Sequence, residues 1–265
     1  MEPNRTCAHI LFSRIPVPGK VKTRLEPALS AEQCAAFQEA LIVDTALKLL
    51  KLDHTMMFCY ADEEEPANDS GRYFDELYRC LHSTSPGESR VVAYPQRGAD
   101  LGERMSNAIA DAFMTGANAC LLLGSDLPYI MPSDIARAEQ LLADVDIVFG
   151  PSPDGGYWLV GMKEPFPELF VNGRYGQGDV LKQALVICRR HGKTVAFAPS
   201  SSDVDNPQDF ELLRSRISAG DARIGPHTKQ IVVKLFGGIP KMQLAFPSQI
   251  PQTPHGIMGD RTYTF

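Results

Sequence analysis

The sequence predicts a single Rossmann-like α/β domain with a mostly parallel central sheet, helices on both faces and an irregular C-terminal tail. Short apolar runs alternate with longer amphipathic runs along residues 1–218. The short runs are nearly continuous in Val, Ile, Leu and Phe, as expected for strands that are covered on both faces. Strand–helix alternation of this kind favours a parallel sheet with crossover helices.

Seven short runs are predicted to be strands, because each is apolar and too short for a helix. They are His9–Ser13, Thr55–Tyr60, Arg90–Tyr94, Ala119–Gly124, Asp146–Gly150, Tyr157–Met162 and Thr194–Ala198.

Six amphipathic runs between these strands are predicted to be helices. Ser30 followed by Gln33 is typical of a capping box at the start of the first helix. Asn206 as N-cap with Pro207 at the first helical position marks the start of the last. The helices are predicted at Ala31–Lys51, Gly71–Leu81, Glu103–Met114, Ser133–Ala143, Asp179–His191 and Pro207–Ile217.

The pattern ends near residue 218. Residues 219–265 are rich in Pro, Gly and Gln, with one strand-like island at Gln230–Phe236. We expect this extension to pack either on the domain or on a second subunit in a homodimer.

Composition and charge exclude several classes of protein. The chain has 26 Lys and Arg against 32 Asp and Glu, a net charge of −6. Nucleic-acid binding through bulk charge is therefore not expected. No apolar run reaches the roughly 20 residues of a membrane span, and the start is too polar for a signal peptide. We expect a cytoplasmic protein without a membrane partner.

The cysteines and histidines give no recognisable motif. The six Cys residues form no C-x-x-C pair, so neither a zinc nor a redox motif is predicted. His9 and His54 flank strands and are expected to be packing or surface groups. No grouping typical of nucleophilic catalysis is found either.

A basic loop, Arg14–Arg24, follows the first strand, where open α/β sheets bind ligands. It contains Gly19 and four cations but no acid. Backbone amides and cationic groups of this kind can surround a polyphosphate. The alternative is an ordinary solvated loop, and the sequence is not a Walker A motif. The predicted phosphate ligands are Arg14, Gly19, Lys20, Lys22 and Arg24.

The loop after the third strand contains Gly98 and Asp100 just before a helix. Glycine permits close approach of a flat ligand such as a nucleobase. The alternative is turn chemistry, with Asp100 satisfying the first amides of the helix.

Acidic residues follow three further strands. Asp126 comes directly after the fourth strand, and a carboxylate there suits Mg²⁺ or Mn²⁺. Asp203 and Asp205 follow the seventh strand and lie two apart, so an extended chain points both to one face. Asp154, followed by Gly155 and Gly156, comes after the fifth strand. Turn or capping roles are the alternatives for all of these acids.

A cationic loop and several acids at strand ends together indicate transfer chemistry on a nucleotide diphosphate or triphosphate. Five motifs then occur in a fixed order over about residues 8–217. They are FSRIPVPGKVKTRL (residues 12–25), GADLGERM (98–105), GSDLP (124–128), PSPDGGYWLVG (151–161) and DVDNPQDF (203–210).

These motifs resemble the bacterial glycosyltransferase-like family associated with radical-SAM and arsenosugar-biosynthesis gene clusters, which has the GT-A, or nucleotide-diphospho-sugar transferase, fold. The KTRL loop also resembles that of the phospholactate guanylyltransferases. The resemblance implies that Asp126 is the principal ligand of Mg²⁺ or Mn²⁺, with Asp205, or less favourably Asp203, as the second. It also implies that the four cations hold the phosphates and that Gly98 and Asp100 border the base or ribose. Asp154, Gly155 and Gly156 would face the sugar or acceptor.

Three functions follow from this resemblance. The first is a metal-dependent glycosyltransferase that uses a nucleotide-diphospho-sugar and a small-molecule acceptor, with Asp126 on the metal, Asp154 as base and Lys22 on the phosphates. The second is a nucleotidyltransferase that joins an NTP to a phosphorylated acceptor and releases pyrophosphate, because Ser125-Asp126 replaces the D-x-D common in glycosyltransferases. The third is an inactive nucleotide-binding protein on the same fold.

Overall fold

A computed structural model describes residues 6–52, 54–61, 68–84, 91–171, 173, 175 and 178–236, with the side chains of 68–72 and 82–84 left out. The strands are β1 (Cys7–Arg14), β2 (Thr55–Ala61), β3 (Val91–Pro95), β4 (Ala119–Gly124), β5 (Ile147–Pro151), β6 (Tyr157–Met162) and β7 (Val195–Phe197). The helices are α1 (Ala31–Leu49), α2 (Asn68–Thr84), α3 (Leu101–Met114), α4 (Pro132–Leu141), α5 (Val180–Arg190), α6 (Pro207–Ser218) and α7 (Pro226–Leu235).

The seven strands form one sheet in the order β3-β2-β1-β4-β6-β5-β7. All neighbouring pairs are parallel except those of β6, which runs antiparallel to both β4 and β5. The predicted α/β class and the mostly parallel sheet are therefore confirmed. Because β1 and β4 lie side by side in the middle, the loops that follow them meet at the same edge.

Two apolar cores sandwich this sheet. One contains buried residues of α1, α2 and α4, such as Ile42, Leu77 and Ile135. The other contains residues of α3 and α5, such as Ile109 and Cys188. Helices on both faces explain why the strand sequences are apolar throughout rather than alternating.

The predicted helix starts at residues 30 and 206 are confirmed. Ser30 accepts a hydrogen bond from the amide of Gln33, and the Gln33 side chain accepts one from the Ser30 amide. Asn206 likewise accepts from the amides of Gln208 and Asp209.

The prediction of a strand-like segment at Gln230–Phe236 is wrong, because these residues form the end and the C-cap of helix α7. Pro226 stands at the first helical position, and Asp44 of α1 accepts hydrogen bonds from the amides of His227 and Thr228. The apolar residues of α7 pack on α1 at helical spacing. The cap from Asp44 and this packing together stabilise a helix where the local sequence suggested a strand. The rest of the predicted extension, residues 237–265, lies outside the described residues.

No helix in the described part of the chain is long and apolar enough to cross a membrane. The six cysteines form no disulfide, and five of them are buried.

Candidate active site

Asp126 lies in the loop after β4, and a buried polar network holds that loop. The Ser125 hydroxyl is 2.7 Å from that of Ser13 on β1 and accepts a hydrogen bond of 2.9 Å from the Gln38 amide. Thr45 donates to the carbonyl of Ser125 at 3.1 Å. Because β1 and α1 both contact Ser125, the position of the adjacent Asp126 is fixed by the centre of the fold.

Lys48 of α1 supports the same loop two residues further on. Its ammonium donates to the carbonyl oxygen of Pro128 at 2.9 Å, and the residue is 7% exposed. Burial lowers the pKa of Lys48 to about 8, although the charge of Asp44 opposes this effect. The positive charge of Lys48 therefore lies beside the loop at the cost of its desolvation, which its hydrogen bond to the backbone only partly offsets.

Asp203 and Asp205 reach the site from the chain that follows β7. Ser200 and Ser201 tie this chain to the carbonyl of Pro151, at the end of β5. Carboxylate oxygens of Asp126, Asp203 and Asp205 all lie within 4.8 Å of one another. The three predicted metal ligands therefore form one acidic cluster at the carboxyl edge of the sheet.

Lys22 lies inside this cluster. Its ammonium donates to Asp126 at 2.7 Å and to Asp205 at 2.8 Å, and its side chain is 4% exposed. The residue has φ 51°, a left-handed conformation that non-glycine residues rarely adopt. Such strain is often found at functional sites, where the surrounding contacts maintain it.

The charged groups of the cluster shift one another's pKa values. Burial alone would lower the pKa of Lys22, but the negative charges of Asp126 and Asp205 raise it above its usual value. Burial would raise the pKa of Asp126, but the Lys22 charge and hydrogen bond lower it. Asp203 has no such hydrogen bond from Lys22, and burial together with the charges of Asp126 and Asp205 raises its pKa to about 7. The cluster therefore has more negative charge than Lys22 balances.

A cavity of about 370 Å³ opens beside the cluster. Asp126, Asp203 and Asp205 form part of its wall, and the predicted substrate residues Asp154 and Gly156 form another part. Aromatic side chains line the rest together with aliphatic ones, including Phe12, Tyr157, Trp158 and Tyr175. Sequence reasoning missed these aromatic residues. For Tyr157 and Trp158 the reason is that they reach the cavity through the antiparallel pairing of β6 with β4.

The tight turn between β5 and β6 presents Asp154 to the cavity. Gly155 has φ +86°, and a Cβ there would collide with the carbonyl oxygen of Gly178. The Asp154 carboxylate accepts a hydrogen bond of 3.0 Å from the amide of Gly156. Asp154 thus does have the role in the turn that the sequence suggested, and its carboxylate is still exposed at the cavity wall.

The basic loop divides into two parts. Arg14, Gly19 and Lys20 are exposed at the carboxyl end of β1, and a guanidinium nitrogen of Arg14 lies 3.4 Å from the carbonyl of Lys20. Arg24 is 77% exposed and 3.7 Å from Asp205. Among these four cations only Lys22 points inward, to the carboxylates of Asp126 and Asp205. The neighbouring residues in the sequence did not indicate this contact.

Gly98 and Asp100 lie in the loop between β3 and α3. Asp100 is the N-cap of that helix and accepts from the amide of Glu103 at 2.9 Å. Gly98 has φ +145°, and a Cβ there would lie 2.7 Å from the amide nitrogen of Arg104. Both residues therefore have structural roles, and neither lines the cavity.

A second polar cluster, at the amino end of β1, was not predicted. Cys7, His9 and Glu139 bring potential ligand atoms within 4.8 Å of one another. The alternation of Cys7 and His9 along one strand is the sequence signal that could have indicated it.

Comparison with known proteins gives one family and several solved structures. Residues 55–177 match a family model described as "uncharacterized protein conserved in bacteria (DUF2064)". No curated protein matches the sequence significantly.

The chain is similar to a Desulfovibrio desulfuricans protein of known structure that has the provisional description nucleotide-diphospho-sugar transferase. The identity is 29% and the TM-score 0.74, over 87% of this chain and 95% of that chain. A Leptospira borgpetersenii cytidylyltransferase is 14% identical with a TM-score of 0.52, over 91% of this chain and 100% of that chain. The 4-diphosphocytidyl-2C-methyl-D-erythritol synthase of Anaerococcus prevotii is 8% identical with a TM-score of 0.52, over 81% and 96%. The chain therefore has a GT-A-like fold.

Proposed function

We propose that this protein is a transferase that uses a nucleotide-diphospho-sugar as donor, a small hydroxyl compound as acceptor and Mg²⁺ or Mn²⁺ as cofactor. The observation that carries the proposal is the convergence of Asp126, Asp203 and Asp205 within 4.8 Å at the wall of the cavity. The similarity to the Desulfovibrio protein, at 29% identity, supports the choice of donor.

The residues of the acidic cluster fit a divalent cation. All three side chains offer oxygen, the ligand that Mg²⁺ and Mn²⁺ prefer. Burial raises the pKa of Asp203 most, and the negative charges of Asp126 and Asp205 raise it further. When bound, the ion would supply charge neutralisation for a diphosphate leaving group. Asp126 and Asp205 would hold it, with Asp203 beside them.

Lys22 and the exposed cations of the basic loop act on the phosphates. In the structure Lys22 keeps the carboxylates of Asp126 and Asp205 together at 2.7 and 2.8 Å. An ion between these carboxylates would take the place of the ammonium, which would then be free to contact the diphosphate beside the cluster. Arg14, Lys20 and Arg24 are exposed around it and would bind the outer phosphate oxygens.

The cavity favours an acceptor without phosphate. Its described lining contains four carboxylates, including Asp154, and neither Lys nor Arg. A phosphorylated acceptor would meet repulsion there, whereas a neutral hydroxyl compound would not. The rings of Tyr157 and Trp158 offer flat apolar faces, and Asp154 is placed to accept the proton of an acceptor hydroxyl.

Nucleotidyl transfer is the second candidate, and one feature favours it. Ser125-Asp126 follows β4 in place of a D-x-D pair of acids, and the further carboxylates come from the chain after β7. In this reaction the same cations would stabilise the β- and γ-phosphates of an NTP, and the products would include pyrophosphate.

Product analysis separates the candidates. The purified protein is incubated with Mn²⁺ or Mg²⁺, a panel of nucleotide-sugars or NTPs, and small acceptors. Metal-dependent release of a nucleoside diphosphate from a nucleotide-sugar would support the proposal. Pyrophosphate release from an NTP would overturn it in favour of nucleotidyl transfer. Tight nucleotide binding without any metal-dependent product would identify an inactive nucleotide-binding protein.

A further inference from the structure

A cluster of sulfur, nitrogen and oxygen ligands lies at the amino end of the sheet, opposite the acidic cluster. We call it the amino-end cluster and define it as Cys7 and His9 of β1, His54 just before β2, and Glu139 of α4. Cys7 and His9 are 3% and 1% exposed, while the side chains of His54 and Glu139 are 25% and 19% exposed. Four potential ligands on three separate elements thus meet in a mostly buried place.

Three of these side chains, those of Cys7, His9 and His54, converge on the carboxylate of the fourth, Glu139. A single oxygen of Glu139, Oε1, lies 2.5 Å from Nε2 of His9 and 3.1 Å from Nε2 of His54. The Cys7 thiol donates a hydrogen bond to the same carboxylate. The two imidazole rings are 4.9 Å apart, edge to face, so both can direct Nε2 to a common point.

We propose that Cys7, His9, His54 and Glu139 bind a structural zinc ion. Zinc takes Cys sulfur, His nitrogen and carboxylate oxygen, and its structural sites have four protein ligands. In tetrahedral coordination at Zn–N of about 2.0 Å and Zn–S of about 2.3 Å, ligand atoms lie roughly 3.3–3.6 Å apart. The separations within the group of Cys7, His9 and Glu139, from 2.5 Å up to 4.8 Å, bracket that range, and His54 joins the group through its 3.1 Å contact with Glu139.

The ligand types distinguish this site from the acidic cluster. Thiolate and imidazole favour zinc over Mg²⁺ or Mn²⁺, which prefer carboxylates and water. Cys7 is 3% exposed and belongs to the apolar core that also contains Leu50, Leu81 and Leu142, so solvent has little access to it. A mostly enclosed site with four protein ligands is typical of a structural ion rather than a catalytic one.

The zinc ion would connect α4 to β1 and to the start of β2. Glu139 is the sole ligand of the cluster on α4, and α4 follows the loop that contains Asp126. An ion held by Glu139, His9 and His54 would fix this helix against β1 and the start of β2. Its expected effect is therefore on stability, and it does not depend on the proposed function.

Cobalt substitution tests the proposal without an activity assay. The full-length protein is treated with chelator and titrated with Co²⁺ in the presence of excess Mg²⁺, which competes for the carboxylates of the acidic cluster. We expect one equivalent of Co²⁺ to give the visible bands of tetrahedral coordination and a near-ultraviolet charge-transfer band from thiolate sulfur. Cys7→Ser should lose the charge-transfer band, and Cys80→Ser, a half-buried control outside the cluster, should keep it.

Zinc-dependent stability provides the second readout. Zn²⁺ should raise the melting temperature of the wild type and of Cys80→Ser, because an ion that binds the folded state stabilises it. His54→Ala changes a partly exposed residue outside the strands and should fold even where Cys7→Ser does not. It should lose the Zn²⁺-dependent rise. A wild-type protein without the charge-transfer band, or His54→Ala with an undiminished rise, would overturn the proposal.

Discussion

The two ends of the central sheet contain polar clusters of opposite character. At the carboxyl end, the acidic cluster of Asp126, Asp203 and Asp205 offers only oxygen and forms part of the wall of a 370 Å³ cavity. At the amino end, the amino-end cluster offers sulfur, nitrogen and oxygen in a mostly buried place. The segment from β4 to α4 contributes a residue to each cluster, because Asp126 lies in the loop before α4 and Glu139 lies on α4.

The ligand types and the burial of each cluster determine which kind of ion it can hold. Oxygen ligands beside a cavity can hold an exchangeable divalent ion together with phosphate, which is what transfer chemistry requires. Ligands enclosed in the core suit an ion that does not exchange during turnover. Such an ion stabilises the folded protein. Variants at one end should therefore change turnover, and variants at the other should change the response to zinc.

The largest effect is expected from Asp126→Asn. Loss of the central carboxylate should remove most of the metal's contribution, about a thousandfold in turnover if that contribution is roughly 4 kcal/mol. The Zn²⁺-dependent rise in melting temperature should be unchanged, since the amino-end cluster is intact. The measurement is initial rate against Mn²⁺ concentration.

Asp144→Asn is the matched control for this variant, because Asp144 is an exposed acid in a turn away from the cavity. It should keep wild-type turnover. An Asp126→Asn enzyme as active as this control would remove Asp126 from the mechanism.

The Lys48→Met variant tests the support of the Asp126 loop through pH. Burial lowers the pKa of Lys48 to about 8 in the folded protein, against an ordinary value of about 10.4. Between these values the unfolded chain binds more protons, so this group makes the wild type more stable as pH rises. From pH 7 to 10 the wild type should gain up to about 3 kcal/mol relative to the variant.

Urea unfolding of both proteins at pH 7 and pH 10 measures this difference. Other titrating groups cancel in the comparison, and the lost hydrogen bond to Pro128 adds a constant. A stability difference that does not change with pH would show that Lys48 is not held as a costly buried charge.

Lys22→Met should weaken the carboxyl end when no divalent ion is present. Without the ammonium, Asp126 and Asp205 lose their counter-charge, which should cost about 2 kcal/mol of unfolding free energy. Mn²⁺ should recover more stability in this variant than in the wild type, because the ion then balances the carboxylates alone. Chemical unfolding with and without Mn²⁺ gives both quantities.

The exposed Lys20→Met, on the same loop, is the control and should respond to Mn²⁺ as the wild type does. Equal Mn²⁺ responses in all three proteins would contradict a cation site between Asp126 and Asp205.

The smallest effect is expected from Asn206→Ala. This residue caps α6 directly after Asp205, and loss of such a cap costs about 1 kcal/mol. The zinc response at the other end should not change. Thermal unfolding with and without Zn²⁺ checks both, and a changed zinc response would show that the two ends are coupled.

Much of the fold follows from local sequence patterns. The apolar runs define the strands, and Ser30–Gln33 and Asn206–Pro207 mark helix starts because caps depend on neighbouring residues. Helix α7 could not be predicted in this way. Its first amides are capped by Asp44, about 180 residues earlier in the chain, and no local pattern records that contact.

The acidic cluster was predictable for a similar reason. Asp126 follows β4, Asp203 and Asp205 follow β7, and strands that run in the same direction have their carboxyl ends at one edge of the sheet. The ion pairs of Lys22 depend on a left-handed backbone conformation that its sequence neighbours do not indicate. The amino-end cluster needs Glu139 of α4 to pack over β1, which periodicity alone does not place.

Anomalous diffraction from crystals grown with Mn²⁺ and a nucleoside diphosphate tests whether the acidic cluster binds the cation that the transfer requires. We expect a manganese peak between Asp126 and Asp205, beside Asp203, with the diphosphate next to the ion and the basic loop. A bound diphosphate without manganese at these carboxylates, with Lys22 still bridging Asp126 and Asp205, would contradict this expectation.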